Sequence, residues 1–466
     1  MSIDWSFPMK RNRRLLSLLP ASLVVLASFG GCTDETIIYR DFPLYEEPLE
    51  AAGGFVGYSS TDSKLVVCGN CHVSAQAQWD STAHAGAWEG LQASPGAQAF
   101  CEGCHTVSEL GNAATEPAGH TATGEERYYD VQCESCHGSG LAHVEDPNKQ
   151  TVPLAMMDVG DIAGAAGTGC AECHTGDHHP FAEEWASSGH GQFNAYPAGR
   201  DGCENCHTGE GALDMFGVQT NYTEKADLGE DGQHMAITCA VCHDPHGSEN
   251  SAQLRFPIDV PSEEVNLCIQ CHQKRGRPDP GTFRGPHSPE GPTLLGTAGW
   301  WPPDFQGPII STHGSTVENP TLCAGCHVQA FEVTDEVTGD FLFNATGHRF
   351  EATPCVDAQG LPTDGPCDDD NKTYVSCTEC HSEDVARQLV SQAELSVAPL
   401  IAELDSLLML VDPGQFDDSD DLYTVAEGSQ FNLELAETTG SVVHNPFLIR
   451  ALLNASIAEM KDRYGL

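Results

Sequence analysis

The stretch Cys133-Glu134-Ser135-Cys136-His137-Gly138-Ser139-Gly140-Leu141-Ala142-His143 holds a five-residue phrase, Cys-x-x-Cys-His, followed six residues later by a second histidine. The phrase occurs nine times. Numbered in chain order, the motifs are Cys68/Cys71/His72, Cys101/Cys104/His105, Cys133/Cys136/His137, Cys170/Cys173/His174, Cys203/Cys206/His207, Cys239/Cys242/His243, Cys268/Cys271/His272, Cys323/Cys326/His327 and Cys377/Cys380/His381. A shuffled chain with 21 Cys and 21 His would hold about 0.04 copies. Nine copies are therefore a design feature of the chain.

The spacing has a chemical reading. Two thiols three residues apart lie on one side of a helical turn, where both can form thioethers with one haem. The histidine that follows is then held beneath the ring as an iron ligand. Zinc ribbons also use Cys-x-x-Cys pairs, but they have no need for a histidine after every second cysteine. Their pairs also sit about 15–20 residues apart, whereas the first six gaps here run from 29 to 37 residues. Nine covalent haem c groups are expected, with zinc and a disulfide scaffold as the rival readings.

Charge narrows the class. With 68 acidic and 21 basic residues the net charge is −47, which excludes nucleic acid, since binding it needs Lys and Arg to displace counterions. An acidic surface suits basic or haem-bearing protein partners. Residues 1–31 read as a secretory signal: Lys10, Arg11, Arg13 and Arg14 precede an apolar run that ends at Gly30-Gly31-Cys32. Cys32, which belongs to no motif, is expected to become a lipidated N-terminus, giving an exported outer-membrane lipoprotein facing the periplasm or the cell surface.

The expected fold is mostly irregular, with short α-helices wrapped around the haem array, an α-helical C-terminal segment and little β structure. Residues 32–60 read as an acidic tether, 61–385 as the nonahaem domain and 386–466 as helices packing on it. The porphyrins supply the apolar bodies that a Gly/Pro-rich chain lacks. Cys355 and Cys367 are expected to form a disulfide. Asp364, Asp368, Asp369 and Asp370 nearby are a candidate calcium site, with a solvated acidic loop as the blander reading. Val397, Leu400, Ile401, Leu404, Leu407, Leu408 and Val411 recur at helical spacing. Asn445-Pro446 starts a further helix whose apolar face is Ile449, Leu452, Leu453, Ile457 and Met460. The acidic run Asp417, Asp418, Asp420, Asp421 reads as a solvated linker.

A haem closed by a second protein ligand passes electrons, whereas an open one binds a small molecule. Twelve histidines lie outside the motifs, enough to close every iron. His84, His120, His143, His190, His246, His287, His313, His348 and His444 are expected as the second ligands. His84 and His190 share a local frame, Trp79 with Ser81 and Trp185 with Ser187. His120, His287 and His313 adjoin Gly or Pro, which lets the backbone pass close to a ring. His178, His179 and His234 are read as surface or hydrogen-bonded residues.

The motifs at 136–143, 242–247 and 444–446 (Cys-His-Gly-x4-His, Cys-His-Asp-Pro-His-Gly and His-Asn-Pro) make the chain resemble multihaem c-type cytochromes, the group that includes octahaem and pentahaem oxidoreductases. The resemblance covers about residues 65–466. It implies electron transfer in respiratory or extracellular chains, without a dedicated substrate site, and it brings self-assembly into conductive filaments into view. Reductases of the group often carry Lys in place of one motif histidine. All nine motifs here end in His, so no Lys-ligated catalytic site carries over. The competing expectation is an oxidoreductase acting on a small nitrogen or sulfur compound at one five-coordinate haem.

Overall fold

The computed structural model describes residues 44–149, 169–176, 178–218, 234–279, 284–334, 338–416 and 423–466. The signal segment, Cys32, the first part of the tether and the acidic run at 417–421 lie outside them. Among the described residues, no helix is long and apolar enough to cross a membrane.

Before residue 383 the helices are four to seven residues long, joined by turns and irregular chain. Many coincide with motifs: Cys133–His137, Glu204–His207, Cys239–Cys242 and Ala324–His327 are each about one turn. Two other short helices matter below, α1 (Val73–Trp79) and α2 (Phe181–Ser187). Among the described residues, sheet is limited to two antiparallel hairpins, β1 (Tyr58–Ser60) with β2 (Leu65–Val66), and β3 (Phe331–Thr334) with β4 (Phe341–Ala345). Single turns are marginal alone because nucleation costs more than one hydrogen bond returns. What stabilises this part of the chain must be something the short helices pack around.

Packing begins earlier than the tether reading expects. Ala52 and Phe55 are buried with Val107, Ala118 and Tyr128. Tyr128 donates its hydroxyl to the Phe55 carbonyl at 2.7 Å. The Glu134 carboxylate accepts from the amides of Val56, Gly57 and Gly140 at 2.7–3.0 Å. Gly57, at φ +64°, lies so close to Arg127 that a Cβ would sit 2.5 Å from its carbonyl oxygen. Residues 52–60 thus belong to the folded body, because the apolar pair Phe55-Val56 finds a core and its amides find a buried acceptor.

The C-terminal region is built differently. α3 (Glu383–Leu408) starts directly after motif 9, where the Ser382 side chain caps the amide of Val385. α4 (Val425–Glu437) opens with a capping box made by Thr424 and Glu427. α5 (Pro446–Tyr464) starts at Asn445, whose side chain accepts from the Leu448 amide. Leu404, Leu435, Leu448, Ile449, Leu452, Leu453 and Met460 form one continuous core between them. The Asn432 side chain bonds the backbone of Trp300 on both sides, at 2.8 Å each, tying α4 to the insertion before motif 8. Gly428 lets α4 lie flat on the Trp300 indole, 2.1 Å from where a Cβ would stand.

Candidate functional site

A continuous cavity of about 4110 Å³ runs through the motif region and is lined by both cysteines and the histidine of all nine motifs. Divided among nine motifs this is about 460 Å³ each, within the roughly 300–1,000 Å³ of single cofactor and ligand pockets. Each motif presents its groups in the same way. In motifs 1 and 4 to 9 the histidine amide donates to the carbonyl of the first cysteine at 2.9–3.1 Å, closing one turn. That turn puts two thiols and an imidazole on one side.

Seven motif histidines face a second imidazole across the cavity. The pairs are His72–His143, His84–His174, His137–His246, His190–His272, His207–His287, His243–His348 and His327–His444, with ring centroids 6.0–6.3 Å apart. Two imidazoles bonded through nitrogen to one metal ion, at about 2 Å each, put their centroids about 6 Å apart. Seven gaps of this width between imidazoles match two histidine ligands sharing one metal ion, so the residues of these seven motifs fit a haem.

The ring chemistry agrees with that role. A metal ligand must be the neutral imidazole. Burial pushes His174, His190 and His444 down to about 4, and the neighbouring histidines push in the same direction. Burial likewise lowers His84 and His348. Hydrogen bonds select the nitrogen left for the metal. The Nδ1 atoms of His105, His243, His327 and His313 sit 2.8–3.0 Å from the carbonyls of Ala87, Ala252, Phe350 and Val443, which leaves Nε2 facing the cavity. His272 differs: its Nδ1 meets the Glu290 carboxylate at 3.3 Å, which raises its basicity.

Two motif histidines are not in these ring pairs. His105 lies within electrostatic reach of His179, which also lines the cavity and which burial lowers. The sequence reading of His179 is a surface or hydrogen-bonded residue, like His178 and His234. The available signal was the proline that follows it, since His179-Pro180 leads directly into α2. His381 lines the cavity but meets no other imidazole ring among the described residues; His313 lines the same cavity. His120, expected as a ligand, is buried outside the cavity lining, against Trp88 and Tyr129 with the Glu102 carboxylate 4.0 Å from Nδ1. His234 bonds Glu210 at 2.5 Å.

In the acidic loop, Cys355 and Cys367 are joined by a disulfide. Its carboxylates turn to cations of the chain: Asp364 to Arg349 at 2.7 Å and Asp369 to Lys372 at 2.8 Å. Among the described residues, no group of three or more His, Cys, Asp or Glu is arranged to hold a metal ion on its own.

A model of the cytochrome c554 and c-prime family matches residues 67–138, and a doubled CXXCH motif model matches 233–277. No curated protein matches. An undecahaem cytochrome from the S-layer of Carboxydothermus ferrireducens is similar in fold, with a TM-score of 0.52 and 16% identity over 90% of this chain and 70% of that one. The outer cell wall cytochrome OcwA aligns at a TM-score of 0.49 and 20% identity over 77% of this chain and 75% of that one.

Proposed function

We propose that this chain, a multihaem c-type cytochrome, holds nine haems and passes electrons among them rather than transforming a substrate. The observation that carries the reading is the set of seven facing imidazole pairs in one cavity. Each haem supplies a one-electron couple when bound. The chain's own residues do the rest. The motif cysteines would hold each haem through two thioether bonds, and the motif histidine and its facing histidine would be the nitrogen donors to its iron. Burial keeps the imidazoles neutral, and backbone carbonyls hold them in the ligating tautomer. Ligation by two histidines leaves no position for a substrate and sets potentials lower than His/Met ligation does.

The reading places the protein outside the cytoplasm, attached to a membrane by lipid at Cys32. Its net charge of −47 selects basic partners and disfavours nucleic acid. The test is a ligand count. Haem analysis of the purified protein should find nine per chain, and electron paramagnetic resonance of the oxidised form should be dominated by low-spin signals. A high-spin signal from more than two of the nine, or carbon monoxide binding at several haems after reduction, would sink the closed-iron reading in favour of an oxidoreductase.

A further inference from the structure

The motifs repeat in threes, and the repeat is visible in contacts that no motif residue makes. Trp79 in α1 donates its indole N–H to the Val131 carbonyl at 2.8 Å, and Trp185 in α2 donates to the Ile237 carbonyl at 2.7 Å. The amides of Val131 and Ile237 return to the carbonyls of His84 and His190, both at 3.1 Å. Val131 and Ile237 each stand two residues before the third motif of their set, at Cys133 and Cys239. His84 then faces His174 of motif 4, and His190 faces His272 of motif 7. In each case a histidine following the first motif of one set faces the first motif of the next.

Thiol contacts repeat in the same register. Cys68 and Cys133 pack on one apolar cluster, and Cys239 packs on the cluster that holds Ala171, the residue after Cys170, so the first motif of a set lies against the third. Cys136 lies within electrostatic reach of Cys170, and Cys242 of Cys268, so the third motif leads to the next set. Cys104 Sγ lies 4.0 Å from the carbonyl of Glu172, between the two cysteines of motif 4, and His287, which follows motif 7, faces His207 of motif 5, so the second motif lies against the first motif of the next set. The last set is shortened. Cys268 meets Cys323 through first cysteines, as Cys68 meets Cys133, and Cys326 reaches Cys377 as Cys136 reaches Cys170. Motif 8 therefore occupies the third place and motif 9 begins a further set. Between motifs 7 and 8 there is no motif; residues 299–301 bind α4 there instead.

We infer that the nine sites form a trunk in the order 1, 3, 4, 6, 7, 8, 9, with motif 2 a side branch on motif 4 and motif 5 a side branch on motif 7. An electron carrier wired this way has four ends. The trunk ends coincide with the only exposed motif cysteines, Cys71 of motif 1 and Cys380 of motif 9. Large apolar side chains stand exposed beside the branches, Phe100 next to motif 2 and Tyr196 before motif 5. The same order assigns His313 to motif 9: it follows motif 7, the first of its set, as His190 follows motif 4, and its Nδ1 is already held by the Val443 carbonyl.

This inference rests on the haem reading above, and the test separates the two. The protein carrying Cys32→Ser and Asp62→Cys is anchored to gold beside motif 1, and fast voltammetry counts the haems in contact. Dithionite titration in solution counts all haems. Removing motif 5 with Cys203→Ala and Cys206→Ala should leave eight by both methods. Removing motif 6 with Cys239→Ala and Cys242→Ala should leave eight in solution but four on the electrode, motifs 1 to 4. Loss of more than one fast haem with motif 5, or of only one with motif 6, overturns the wiring; a solution count far below eight in the motif 5 variant indicts the haem reading instead. Should the motif 6 variant fail to fold, His313→Ala decides: one haem in nine turns high-spin and binds carbon monoxide, while His120→Ala changes neither. An unchanged spectrum in His313→Ala overturns the repeat.

Discussion

The motif region and the C-terminal helices solve the same problem in opposite ways. From 383 onward the chain buries its own side chains: Leu404, Leu435, Leu448 and Leu453 are each inaccessible to solvent and touch one another. From 67 to 381 the apolar clusters are small and separate, and the histidines and cysteines surround a cavity instead of filling it. A core can be supplied by side chains or by a bound group: the C-terminal helices show the first, the motif region leaves a cavity that haems would fill, and the two meet at Ser382, the helix cap that follows motif 9. The lesson is that helix length follows the source of the core. Long helices form where a stripe of side chains has a partner helix, and single turns suffice where a covalent ring does the packing.

The contrast is most sharply tested by withholding haem. Produced in a compartment that cannot attach it, the chain should lose hydrogen-exchange protection throughout 67–381 and keep it in 424–464. Protection retained across the motifs would show that they pack without their cofactors. A smaller effect is expected from Leu453→Ala, which empties the centre of the helical core. It should cost about 2–5 kcal/mol in denaturant unfolding followed by circular dichroism, with the haem spectrum of the folded protein unchanged. A spectral shift would mean that the two regions do not keep separate cores.

The smallest expected effect lies on the motif side. Buried Glu134 accepts four backbone hydrogen bonds, yet burial outweighs them and pushes its carboxyl up to about 7 from 4.5. A carboxyl raised on folding binds its proton more tightly in the native state, so its contribution is full below about pH 4.5 and is lost as pH rises through 7. Glu134→Gln should cost about 1–3 kcal/mol at low pH and remove that slope, measured as the difference in unfolding free energy between pH 4.5 and 7. An unaltered slope would place the titration elsewhere.

Much of this was open to reading along the chain. The apolar face of α5 and its Asn445-Pro446 start follow from local rules. α4 did not stand out, because its buried positions include Glu427, Gly428, Ser429 and Asn432, small or polar residues that carry no apolar period. The tether was drawn to residue 60 because acidic, Pro-containing chain reads as linker. Only the fold reveals that Phe55 and Val56 have a core and a buried carboxylate to meet.

The candidate site divides along the same line. Nine motifs name the cofactor and its attachment points because thioether formation needs two thiols and an imidazole within one turn, a strictly local requirement. Which second imidazole faces which motif is a long-range matter: His84 faces His174, 90 residues later, and His348 faces His243, 105 residues earlier. Residue type alone could not prefer His179 over His120, since both are histidines beside small residues or proline. Burial and distance separate them, one in the cavity wall within reach of His105, the other packed against Trp88 and Glu102. Residue type and spacing carry the chemistry along the chain; which imidazoles come to face each other was decided by the tertiary structure, because that depends on where distant turns of chain come to rest.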